Sequence, residues 1–186
     1  PYTNSDYNIV RAQLMNPGLK ENGGIFNHTQ GWGVIAEAML GNGDQAYKYL
    51  RAYLPAAYNT TAEIREIEPY VVCQSTHAKY SPKHGASRIP WLSGAATWTY
   101  FAITQYILGI RPGYSELFID PCIPKDWDNF SVQRIFRGKR LNIEVDNPDH
   151  IEQGVKQITL NGEELASNSI PADKLRDVND VRVIMG

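Results

Sequence analysis

Several residues of this chain are of types, and in places, suited to holding an anion or a sugar. The stretch KENGGIFNH, residues 20–28, sets Lys20, Glu21 and His28 around the pair Gly23-Gly24. Glycine pairs let the backbone take positive φ or approach a ligand closely, and polar groups beside such a loop are common in binding sites. Far along the chain, Ser93 and Gly94 lie in PWLSGAATW, residues 90–98. An imidazole, a hydroxyl and a backbone N–H in the first turn of a helix are all donors, and helix N-termini favour anions. Such a set could hold an anion. Lys20 and Glu21 suit a sugar hydroxyl, which both donates and accepts and so can be clamped by a cation and a carboxylate. Each also has a plainer reading. Ser93 alone is an ordinary helix N-cap, His28 a packed or capping histidine, and Lys20–Glu21 a solvated charge pair.

The elements that must position these groups follow from periodicity and breakers. Trp32 to Leu40 reads as an apolar-rich helix stopped by Gly41. Asp44 is placed to cap a second, Gln45 to Leu54, with Tyr47, Leu50 and Leu54 on one stripe. A third is expected from Pro69 to Ala78, with proline in its first turn and the Glu68 carboxylate favourable to its dipole. The fourth, Trp91 to Leu108, is apolar on most faces and is expected to be buried. After Ile110-Arg111-Pro112-Gly113 the pattern turns to strands at 117–120, 130–136, 141–145, 155–160 and 181–185. Asn161-Gly162 predicts a type I′ hairpin turn, which needs positive φ at both central residues.

Composition narrows the class. A chain of 186 residues is long enough for one domain or for parts of two. A net charge of −2 leaves no basic footprint for nucleic acid. No apolar run reaches the roughly 18 residues of a membrane span and no cationic, apolar leader opens the chain, so no membrane partner is expected. Cys73 and Cys122 are too few for a disulfide framework, which points to a reducing, cytoplasmic setting. Pro1-Tyr2-Thr3 holds no initiator methionine, and the chain is expected to be a piece of a longer polypeptide.

KENGGIFNH, EPYVVCQ (68–74), PWLSGAATW, ILGIRPGY (107–114) and IDPCIPKDWDNF (119–130) occur in this order. Together they resemble the C-terminal third of the cellobiose and chitobiose phosphorylase family, which are inverting glycoside phosphorylases. The likeness covers essentially residues 16 to 160. It implies an α+β multidomain fold. Residues 1–110 would be the last helices of an (α/α)6 barrel, and 111–186 a C-terminal antiparallel β-sandwich. It implies that His28 binds phosphate, that Ser93 and Gly94 hold it too, and that Gln74 lies near phosphate and the glycone sugar. Lys20 and Glu21 would help form the acceptor subsite. The implied reaction cleaves a β-linked glucosyl disaccharide with inorganic phosphate, giving α-glucose 1-phosphate and the acceptor sugar. Phosphate is then a co-substrate, and no metal or other cofactor is expected. The expected partners are the disaccharide, phosphate, the upstream part of the same polypeptide and a second copy in a homodimer.

The departures from the family pattern concern the acceptor and the acid. Ser93 replaces a threonine and keeps the hydroxyl. Met15 stands where cellobiose-specific relatives carry a tyrosine. The basic segment HAKYSPKHGASR (77–88) could face an anionic acceptor such as an aldonic acid, although a solvated loop explains it as well. Inverting phosphorolysis needs a general acid for the leaving oxygen. In the family this is an aspartate in a Trp- and Asp-rich motif upstream of KENGGIF. Only Asp6 precedes Lys20, in a non-matching context, and Asp126 and Asp128 of KDWDNF read as structural. The acid is therefore expected outside this chain, and the chain is expected to be inactive alone. The competing readings are an inverting hydrolase on the same barrel, which has no need of an anion cradle, and a non-catalytic carbohydrate-binding fragment.

Overall fold

The computed structural model describes every residue except Tyr7 and Ile9. Its fold is α+β, and it divides into two compact units: residues 1–33 with 49–100, and residues 34–48 with 101–186.

Two helices form close to where the apolar spacing puts them. α1 (Asn27–Met39) begins earlier than Trp32, because the Thr29 hydroxyl and the Gln30 amide both donate to the Phe26 carbonyl at 2.9 and 3.0 Å. α2 (Gly43–Tyr53) also starts early, so Asp44 lies inside its first turn instead of capping it. The Glu152 carboxylate accepts the Asp44 N–H at 3.0 Å, and the Asp44 carboxylate accepts the Lys125 N–H at 3.0 Å. A 3-10 segment (Pro55–Thr61), kinked at Tyr58, and the short α3 (Ala62–Arg65) follow.

The helix expected from Pro69 to Ala78 does not form. Its backbone groups are taken by distant partners: the Gln74 N–H donates to the Ile89 carbonyl, and the Gln74 carbonyl accepts from Asn27. β2 (Ser75–Thr76) pairs antiparallel with β1 (Ile25–Phe26) on one side and β3 (Ser87–Arg88) on the other. Glu68 therefore has no helix dipole to serve; its carboxylate accepts the Trp91 indole N–H at 3.4 Å.

The last expected helix is shorter and less buried than its composition predicts. α4 (Ala95–Ala102) starts four residues later than predicted, after a run of bent residues, and passes into a wider π-type turn over Ile103–Ile107. Ala95, Thr99 and Ala102 bury one stripe, while Tyr100 is 67% exposed.

In the second unit the strands fall near their predicted places. β4 (Ile110–Pro112), β5 (Glu116–Ile119) and β10 (Ser169–Pro171) make a three-stranded antiparallel sheet. β6 (Asn129–Phe136), β7 (Lys139–Asp146), β8 (Gln157–Leu160), β9 (Glu163–Glu164) and β11 (Val178–Ile184) make a second sheet in the order β6-β7-β11-β8-β9. That sheet is mixed, not wholly antiparallel, because β11 runs parallel to β7. Alternation buries Leu141, Ile143 and Val145 of β7 and Val181 and Val183 of β11. The Asn161-Gly162 turn joins β8 to β9 with φ +52° and +88°, as a type I′ turn requires. Among the described residues no helix is long and apolar enough to cross a membrane.

Candidate functional site

The three-stranded sheet of the first unit brings two of the sequence-predicted positions together. β1 leads directly into α1, so His28 is the second residue of that helix. β2 runs alongside β1, and Gln74 immediately precedes it. The Asn27 N–H donates to the Gln74 carbonyl at 2.7 Å, which ties the turn bearing His28 to the segment bearing Gln74. The His28 ring stands edge-on between Phe26, 5.6 Å away between centroids, and Trp32, 6.2 Å away. Gln74 Oε1 is buried and has no hydrogen-bond partner. A buried carbonyl oxygen left unpaired is costly in a folded protein.

Ser93 and Gly94 open α4. Gly94 is the residue before the helix: its carbonyl accepts the Trp98 N–H at 2.9 Å. The Ser93 hydroxyl oxygen accepts the Ala95 N–H at 3.0 Å, a capping bond that leaves its own proton free to donate outward. A string of ring contacts leads from this turn back to His28. Trp98 meets Trp32 edge-on at 5.6 Å, and Trp32 meets His28. Sequence reading missed the Trp32–Trp98 pair, Asn27, and the Glu68–Trp91 bond. The first two could have been suspected from their places beside His28 and Gly94 in the motifs.

Lys20 and Glu21 sit in a tight loop that depends on its glycines. Lys20 has φ +41°, and its carbonyl accepts the Gly24 N–H at 2.8 Å. A Cβ on Gly24 would lie 2.4 Å from the Lys20 nitrogen, so only glycine fits there. Fully buried Asn22 anchors the loop by donating to the carbonyls of Tyr2 and Met15 at 3.2 and 2.7 Å. Glu21 is exposed and Lys20 half-buried. No hydrogen bond or ion pair joins either of them to His28, Gln74, Ser93 or Gly94.

The basic segment 77–88 is not simply a solvated loop. His77 is buried, with Nδ1 2.7 Å from the Ser81 hydroxyl and Nε2 unpartnered. Burial, and next the nearby charges of Arg88 and Lys83, holds its imidazole below the usual histidine value. Lys83 pairs with Glu66 at 3.6 Å across an exposed surface. A cavity of about 580 Å³ opens beside it, lined by Asn27, Tyr53, Tyr58, Thr76 and His77 among others; none of the six sequence-predicted residues lines it. Cys122 is no nucleophile: burial, with Glu152 and Asp120 nearby, pushes its thiol up to about 12.

Comparison with known proteins adds to the geometry. The family model described as "Glycosyl hydrolase 94 superfamily, catalytic domain" matches residues 1–109. The one described as "Glycosyl hydrolase family 65, C-terminal domain" matches residues 110–165. An N,N'-diacetylchitobiose phosphorylase from Vibrio proteolyticus is 44% identical over 91% of this chain and 21% of its own length. A solabiose phosphorylase from Paenibacillus borealis is 32% identical over 92% of the chain and 22% of its own. A cellobionic acid phosphorylase from Neurospora crassa is 27% identical over 96% and 22%. The chain thus spans about a fifth of the length of these relatives.

Proposed function

The chain belongs to the glycosyl hydrolase 94 superfamily, and from that premise we propose that its parent polypeptide is an inverting glycoside phosphorylase. Residues 1–110 then close an (α/α)6 barrel and 111–186 form its β-sandwich. The substrate is a β-linked disaccharide. One phosphate oxygen attacks the anomeric carbon as the bond to the glycosidic oxygen breaks. An acid from elsewhere in the polypeptide protonates that oxygen, and the products are an α-sugar 1-phosphate and the free acceptor. His28, the Ser93 hydroxyl and the Gly94 backbone supply donors to phosphate; Lys20 and Glu21 clamp the acceptor.

The observation that carries this reading is Gln74. Its Oε1 is buried and unpartnered on a segment bonded to the residue before His28. One amide can accept from a glycone hydroxyl through Oε1 and donate to phosphate through Nε2, which suits a group standing between the two. A glycoside hydrolase would need no anion donors such as His28, the Ser93 hydroxyl and the Gly94 N–H.

For the glycone and acceptor, the sequence favours a glucosyl disaccharide, and the 44% identity to a diacetylchitobiose phosphorylase supports N-acetylglucosamine units instead. An aldonate acceptor is the weaker reading. Lys83 is paired with Glu66 and His77 is turned inward, so the basic loop carries less free charge than its composition promises. The full-length protein, given N,N'-diacetylchitobiose, cellobiose and cellobionic acid, should release α-sugar 1-phosphate from one of them only when phosphate is present. Equal release of free sugar without phosphate would make it a hydrolase. No turnover of any disaccharide would make it a binding protein.

A further inference from the structure

We propose that Asn27 is a positioning residue that holds His28 and Gln74 in mutual register, an inference that rests on the phosphorylase reading. Asn27 is the first residue of α1 and is 5% exposed. Besides its backbone bond to the Gln74 carbonyl, its side-chain Nδ2 donates to Cys73 Sγ at 2.9 Å and to the Thr76 hydroxyl at 3.2 Å. The Cys73 thiol in turn donates to the Ser75 carbonyl at 3.3 Å. These bonds bracket Gln74 on both sides, and its own N–H is held by Ile89. The backbone of Gln74 is thereby fixed, and only its side chain remains to meet a ligand. His28 follows Asn27 directly, so one buried amide references both candidate ligand-binding groups to a single point.

Stability alone is a poor reason for this arrangement. A thiol is a weak acceptor, and an apolar side chain of similar shape could fill the position without burying an amide. Fixing two groups against a small nucleophile is a better one, because the reacting geometry tolerates only about half an ångström of error.

The test is steady-state phosphorolysis by the full-length protein, measuring KM for phosphate and for disaccharide separately, with folded content checked by circular dichroism. Asn27→Ala should raise the phosphate KM about tenfold, the scale of losing two buried hydrogen bonds, with a smaller rise in the disaccharide KM because Gln74 also faces the glycone. Cys73→Ala should raise it by less, and Cys73→Ser by less again, since the serine hydroxyl still accepts. A purely structural role predicts a different pattern, with kcat falling in step with folded content and both KM values unmoved. That result would overturn the proposal. Should Asn27→Ala not fold, the two Cys73 variants decide, and equal phosphate KM values in both would also overturn it. A wild-type protein indifferent to phosphate would remove the phosphorylase reading and this inference together. A phosphate-dependent wild type with an unshifted phosphate KM in Asn27→Ala would remove the inference alone.

Discussion

If His28 binds phosphate as proposed, removing its imidazole takes away one hydrogen bond to an ionised acceptor, an interaction of about 1.5–3 kcal/mol. His28→Ala in the full-length protein should therefore weaken apparent phosphate affinity by roughly 10- to 150-fold, with a smaller effect on disaccharide affinity. A mutant in which only the disaccharide KM moves would show that His28 serves the sugar. His28, Gln74, Ser93 and Gly94 could be picked out from sequence as candidates because each stands in a short motif whose order along the chain is specific. The bonds that fix them could not, although Asn27 stands in the same motif as His28. Asn27 finds its side-chain partners 46 and 49 positions away, and Glu68 finds Trp91 23 positions away. A hydrogen bond across such a distance leaves no local pattern, and an asparagine before a helix reads as a cap whatever it binds. Lys20 and Glu21 were legible as a charged pair beside a glycine loop. The role of that loop's buried Asn22 was not.

At the level of elements, segments whose burial is periodic were legible, and segments governed by distant partners were not. α1 and α2 came from apolar spacing, and β6, β7 and β8 from alternation. The stretch from Pro69 to Ala78 failed as a helix because both backbone groups of Gln74 bond to residues outside it. The parallel pairing of β11 with β7 was equally invisible, since a strand's alternation says nothing of its neighbour's direction. Two glycines at element ends separate backbone conformation from crowding. Gly162 has φ +88° and open space where a Cβ would stand, whereas Gly109 has φ +66° and a Cβ there would lie 2.0 Å from the Asp120 carbonyl oxygen. Gly162→Ala should cost only the left-handed backbone penalty, about 1–2 kcal/mol. Gly109→Ala must also displace the backbone leading into Pro121, so its apparent unfolding midpoint in urea should fall clearly further. Equal midpoints for the two variants would mean that the turn after α4 yields easily and that the Asp120 contact is not a constraint.

For the whole molecule, the decisive quantity is apolar surface. Trp91, Leu92, Tyr70 and Tyr100 in the first unit are 66, 76, 70 and 67% exposed, and Met39, Leu40 and Ile135 in the second are 69, 74 and 73% exposed. Scattered apolar side chains are normal on a surface. Neighbours such as Trp91 and Leu92, beside Tyr70 at 6.1 Å between rings, make a contiguous patch of the kind that another surface covers. These relatives are about five times longer than the stretch this chain matches, and under the phosphorylase reading we propose, the remainder of such a polypeptide would cover this patch and bring the general acid. Residues 1–186 produced alone should therefore associate, giving a light-scattering mass that rises with concentration. They should show no phosphorolysis of any disaccharide at concentrations where the full-length protein turns over. Mixed with the separately produced upstream part, they should regain both a discrete mass and phosphate-dependent turnover. A monomeric chain with a sharp unfolding transition and activity of its own would show that neither cover nor acid needs to come from outside it.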